Sequence, residues 1–152
     1  MNKAERHRAR EAALQILYQH EIGRCEIAQA IDTFFGLQWP DAEPATGDLR
    51  TFAAGLAQET VRQLPAIDPL IADTAERWRP ERMAVLDRLI LRMAVCELVR
   101  DPETPPAVVI NEALELARTF STEDAVKFIN GMLDGIRKKI DSGRSQASGS
   151  GL

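Results

Sequence analysis

The stretch "RMAVLDRLILRMAVCELV", residues 82–99, is apolar around most of a helical circumference and is interrupted chiefly by Asp87, Arg88, Arg92 and Glu97. A helix of that kind cannot lie on a surface, because it needs neighbours on several sides to bury it. This segment predicts the centre of a helical bundle. Elsewhere apolar residues recur at helical spacing, and the alternating Val-, Ile- and Thr-rich runs that make strands are missing. The chain therefore reads as all-α, a single-domain bundle of about seven helices.

Turn and capping chemistry sets the expected boundaries. A first helix runs from about Lys3 to Gly23, a second covers "EIAQAIDTFFGLQ", and "WPDAEPATGD" is a loop. The third, "LRTFAAGLAQETVRQL", stops before Pro65, since the residue preceding a proline is pushed out of the α region. Asp68 reads as an N-cap with Pro69 at the first helical position of a fourth helix. After the central fifth helix, "DPETPP" breaks the chain and places proline at the entry to the sixth, "AVVINEALELARTF". Ser121 and Asp124 resemble a capping box for the seventh, in which Ala125, Phe128, Ile129, Met132, Leu133 and Ile136 make one stripe. Within that stripe Asn130-Gly131 is a turn signal inside a helix, and Gly131 is read as letting another helix approach closely. The helical domain spans 1–141, and from Ser142 onward "SGRSQASGSGL" has little to bury and reads as a flexible Ser/Gly-rich tail.

Composition narrows the chemistry. With 152 residues, a net charge of −4 and a pI near 5.3, the chain can bury a core without staples and is no wholly basic nucleic-acid coat protein. Cys25 and Cys96 are too few for a disulfide scaffold and too far apart for a zinc knuckle, which suits a reducing cytoplasm. No apolar run approaches the ~18 residues of a membrane span, and no signal-peptide stretch opens the chain. His7 and His20 have no second metal ligand at helical spacing. Phosphate-cradling loops, nucleophile elbows and zinc-protease helices are absent as well, so no active site, cofactor or metal is expected.

The remaining non-random feature is the opening "KAERHRAREAALQILYQH". At roughly 100° per residue, Arg6, Arg10, Ala13 and Leu17 share a helix face, so a basic stripe runs into an apolar one. Burying Arg6 and Arg10 among apolar side chains would incur a large desolvation penalty, which implies that the first two turns overhang the core or line a polar groove. An overhanging row of arginines is a phosphate-binding geometry. A plain solvated helix end has the same composition, and both readings stand on these residues alone.

Three spaced motifs add a resemblance. "RHRAREAALQILYQ", "VVINEALELARTF" and "KFINGMLDGI", in that order, resemble the NusB family of transcription antitermination factors. The resemblance implies a seven-helix, non-catalytic RNA-binding protein. Such proteins pair with NusE, a small-subunit ribosomal protein, to bind boxA-type single-stranded RNA. Together they help the transcription elongation complex read through terminators in ribosomal RNA operons. The family's arginine-rich RNA-binding helix maps here onto Arg6, Arg8 and Arg10 with Lys3 close by, and His7 stands where many relatives have another arginine. The resemblance adds Asp124, Lys127 and Phe128 at the start of the last helix, and Arg88 on the central one. Phe128 offers a stacking surface for an unpaired base, but it also lies in phase with the core stripe. The NusE surface is implied at Glu76, Arg77 and Asp87, acidic groups there suiting a basic ribosomal partner.

Two other readings are an RNA-binding domain related to that of ribosomal RNA cytosine methyltransferases and a helical adaptor that binds only protein. No cofactor-binding domain follows the helical region, which disfavours the first. The purified chain is expected to turn over no S-adenosylmethionine; measurable methyl transfer by this chain alone would restore the methyltransferase reading.

Overall fold

A computed structural model of the chain describes residues 1–39, 47–75 and 79–150, with side chains as far as 143. It contains seven α-helices and, among the described residues, no strand. They are α1 (Lys3–Gly23), α2 (Ile27–Thr33), α3 (Gly47–Arg62), α4 (Leu64–Thr74), α5 (Val85–Arg100), α6 (Pro106–Phe120) and α7 (Glu123–Ser150). The contacts divide the chain into two compact units, Met1–Leu64 and Pro65–Leu152.

In the first unit, α1 is capped by Asn2, whose side-chain oxygen accepts the Glu5 N–H at 2.8 Å. It ends at Arg24 in the left-handed conformation, with φ 52°. Its buried face is rich in alanine, with Ala9, Ala12 and Ala13 beside Leu14, Ile16 and Leu17, and it packs against α2 and α3. Leu49, Ala53, Leu56 and Ala57 form the buried face of α3. The second expected helix is shorter than its sequence suggests. After Thr33 the chain widens into a π-helical turn, Phe34–Gln38, closed by the Trp39 N–H donating to the Phe34 carbonyl at 3.0 Å. The turn brings Phe34 edge-on to both Phe35 and Trp39, with centroids 5.1 and 5.9 Å away. Most of the expected loop after Trp39 lies outside the described residues.

In the second unit, α5 is the helix the sequence expects at the centre. Leu89, Ile90, Leu91, Met93, Ala94, Val95, Cys96 and Leu98 are all buried, and α6 and α7 pack on it and on each other. A short 3₁₀ turn, Pro80–Arg82, precedes it, so α5 starts at Val85 rather than Arg82. Proline stands at the entry to α6, as its spacing implies. The α7 stripe is buried at Ile129, Met132, Leu133 and Ile136.

Four local expectations are corrected. Pro69 lies inside α4, which begins at Leu64, because Pro65 already occupies the first turn, where a missing N–H has no intrahelical partner to lose. Asp68 is therefore no cap. Its carboxylate instead accepts from Arg92 Nε and Nη2 at 3.0 and 2.9 Å, a bidentate pair. At α7 the cap is Thr122, whose hydroxyl accepts the Ala125 N–H at 3.1 Å, while the Ser121 hydroxyl donates to Asp87. α7 also continues as helix to Ser150, past Ser142 where composition assigns a flexible tail; propagation adds one hydrogen bond per residue to a helix already nucleated.

The fourth correction concerns the glycines of α7. Gly131 is exposed, and a Cβ built there meets nothing within 4 Å. Gly135, one turn later, is the close contact, since a Cβ there would lie 2.9 Å from Thr74 Cγ2. That methyl belongs to a β-branched side chain with one preferred rotamer in a helix or two, so it has little room to yield. Replacing Gly135 with Val is expected to lower stability by about 1–3 kcal/mol in denaturant unfolding. Adding Thr74→Ser, which removes the opposing methyl, should recover part of that loss.

Candidate nucleic-acid interface

The basic residues of α1 do not share one environment. Lys3 and Arg6 are exposed, His7 and Arg8 are half-buried, and Arg10 is 3 % exposed. Successive turns of α1 thus carry positive charge from water into the first unit's interior. The overhang expected of both Arg6 and Arg10 holds for Arg6 and fails for Arg10. The Arg10 guanidinium lies over the Phe52 ring at 5.3 Å from its centroid. A planar, weakly hydrated guanidinium stacked on an aromatic face recovers part of the desolvation penalty that argued against burial.

Two more arginines use the same device. Arg8 lies 4.8 Å over Trp39, and Arg50 on α3 lies 5.1 Å over Phe35, with Asp32 3.9 Å away. Phe35, Trp39, Arg50 and Phe52 escaped the sequence reading, since no local spacing pairs an arginine near residue 8 with an aromatic some thirty positions later. Only the cluster "FFGLQW" hinted at an aromatic patch. The pairing of His7 with Glu11 was available from spacing alone, at i,i+4, and Nε2 sits 2.9 Å from Oε1.

In the second unit, Asp124 and Lys127 are exposed and Phe128 is 43 % exposed, so this phenylalanine, in phase with the stripe, stands at its outer edge. Arg88 departs from the surface role its resemblance implied. It is 8 % exposed and donates from Nη1 to the Pro80 carbonyl at 2.6 Å, tying the 3₁₀ turn to α5. Asp87 is half-buried and accepts from Ser121. Glu76 and Arg77 lie outside the described residues. Among the described residues, no group of three or more His, Cys, Asp or Glu is placed to hold a metal, and no helix is long and apolar enough to cross a membrane. Neither Cys25 nor Cys96 is part of a disulfide.

Residues 7–138 match the NusB family. The chain belongs to that family. Transcription antitermination protein NusB of Koribacter versatilis (strain Ellin345) is 41 % identical over 143 residues, which cover 94 % of this chain and 95 % of that one. Among solved structures, NusB of T. maritima superposes with a TM-score of 0.78 at 34 % identity, covering 88 % of this chain and 90 % of that one. The same fold occurs in the structure of antitermination factors NusB and NusE in complex with dsRNA, with a TM-score of 0.79 at 24 % identity, covering 91 % and 99 % of the two chains. Members of the NusB family are transcription antitermination proteins, and this chain is not an enzyme.

The split between Arg6 and Arg10 has a measurable consequence. Arg10→Ala should destabilise the fold by about 1–3 kcal/mol, through loss of its buried stem and its contact with Phe52. Arg6→Ala should change stability by less than about 0.5 kcal/mol, as for other exposed positions. Equal melting curves for the two variants would show that Arg10 contributes nothing by being buried.

Proposed function

We propose that this chain is an RNA-binding transcription antitermination factor of the cytoplasm. It pairs with ribosomal protein NusE to bind boxA-type single-stranded RNA, joins the transcription elongation complex and promotes read-through in ribosomal RNA operons. The observation that carries this reading is the start of α1: in a chain of the NusB family, Lys3 and Arg6 stand in water at a helix N-terminus. Cations there oppose the helix dipole, so their placement weakens the helix slightly and suits an anionic ligand. The NusB fold found with NusE and dsRNA supports the choice of partners.

Within this reading the residues divide their work. Lys3 and Arg6 meet phosphates, while His7 and Arg8 flank them, each partly engaged within its own unit. Arg10 supports α1 from beneath, and Arg88 holds the 3₁₀ turn before α5. On α7, Lys127 meets phosphate, Phe128 stacks on a base, and Asp124 is placed to accept from base N–H groups. Asp87, Glu76 and Arg77 are assigned to NusE binding.

Affinity for a boxA-type RNA, measured across salt with and without NusE, tests this reading. Lys3→Ala with Arg6→Ala should leave stability intact and lower the slope of log affinity against log salt by about 1.4, at roughly 0.7 for each lost contact to a single strand. Phe128→Ala should weaken binding by about 1–3 kcal/mol. Unchanged affinity and slope would favour the adaptor that binds only protein.

A further inference from the structure

Gly131, like Gly143 further along α7, is a glycine that packing does not explain. It sits well inside a long helix, where glycine is a poorer helix former than any residue but proline. Its φ is not positive, it is exposed, and a Cβ built on it meets open space. An alanine there would fit and would strengthen the helix. Gly135, by contrast, is accounted for by Thr74.

The neighbours of Gly131 supply a reason. Asp124, Lys127, Phe128 and Gly131 follow one another at i, i+3, i+4 and i+7, on one face of α7, and all four are exposed. Helical side chains lean toward the N-terminus, so a residue covers the surface over the turn before its own Cα. A side chain at 131 would therefore lie over the turn that carries Lys127 and Phe128. A Cβ there stays more than 4 Å from the Phe128 ring, so a longer side chain such as leucine is what would close the ring's open side; Phe128 is 43 % exposed. Lys127, at the same level of the helix, has no ion-pair partner among the described residues.

We propose that Gly131 is a positioning residue that keeps the face of Phe128 clear, so that an unpaired RNA base stacks on the ring while its flanking phosphate meets Lys127. This rests on the RNA-binding reading and deepens it. Each base has a π-face and carries a negative phosphate beside it, which matches an aromatic ring next to an unpaired cation.

The test uses the full chain, with and without NusE, and a single-stranded boxA-type RNA carrying 2-aminopurine, whose fluorescence falls when it stacks. Gly131→Ala and Gly131→Leu should both raise the melting temperature, since both residues are better helix formers in open space. Gly131→Leu should nevertheless weaken RNA binding about five- to a hundredfold, as Phe128→Ala does, and abolish the fluorescence change. The double variant should bind no worse than Phe128→Ala, because both changes remove the same stacked base. If Gly131→Leu binds as tightly as the unaltered chain while Phe128→Ala is weak, Gly131 has no such role and the RNA reading survives. If Phe128→Ala and Lys127→Ala also bind normally, the RNA reading of this face falls with it. A lowered melting temperature for Gly131→Leu, or loss of NusE capture with RNA binding intact, would likewise overturn the proposal by making this a packing or protein-docking position.

Discussion

α5 is buried on nearly all sides, and three of the polar residues that interrupt it are met from elsewhere in its unit. Arg88 reaches back to the Pro80 carbonyl, Arg92 is held by both oxygens of Asp68, and Asp87 accepts from Ser121. These contacts fix three flanking pieces of chain at once: the 3₁₀ turn, the middle of α4 and the junction between α6 and α7. An unpaired guanidinium or carboxylate in that setting would cost several kcal/mol, far more than an exposed pair returns. The polar residues that interrupt the most apolar segment of the sequence are thus the ones that set where its neighbours lie.

Helical periodicity is why the fold class was legible from sequence. An apolar face repeats at 3.6 residues whatever packs on it, so α1, α5, α6 and α7 could be read with their faces before their partners were known. Boundaries were less legible, for a different reason. Pro65 and Pro69 each obey the rules for a helix start, and Ser121 and Thr122 each obey those for a cap. The choice between neighbours of equal propensity is made at long range, by Arg92 claiming Asp68 and Asp87 claiming Ser121. Loop and capping rules are local, and they cannot see a partner 24 or 34 residues away.

The same limit applies to the arginines of α1. Arg6 and Arg10 lie one turn apart on the same face, yet one stands in water and the other beneath Phe52. Reasoning from desolvation treated every guanidinium as a charge to be kept wet. An aromatic ring from α3 changes that balance, and nothing within four residues of Arg10 announces it. Exposure was legible at Lys3 and Lys127, which lie off the apolar pattern, whereas Phe128 is in phase with the stripe and its 43 % exposure is set by where the stripe's outer edge falls.

α7 shows how one helix can carry both kinds of constraint. Of the stripe its periodicity predicts, Ile129, Met132, Leu133 and Ile136 are buried and answer to packing, Ala125 is half-buried and Phe128 is exposed. Gly131 and Gly135 look alike in sequence, where an Asn-Gly pair singles out Gly131 for the close helix contact. The roles are divided: Gly135 lies against Thr74, and Gly131 lies in the open. A glycine fitted to a neighbouring helix is explained by the fold, since any side chain there must displace something. A glycine with empty space around it, as at Gly55, Gly131 and Gly143, weakens its helix with no gain to the packing, and only Gly131 among these three neighbours Lys127 and Phe128. On α7 that empty space adjoins an exposed ring and a lysine with no ion-pair partner among the described residues, and the proposed RNA face rests on this adjacency rather than on the charge of the surface as a whole.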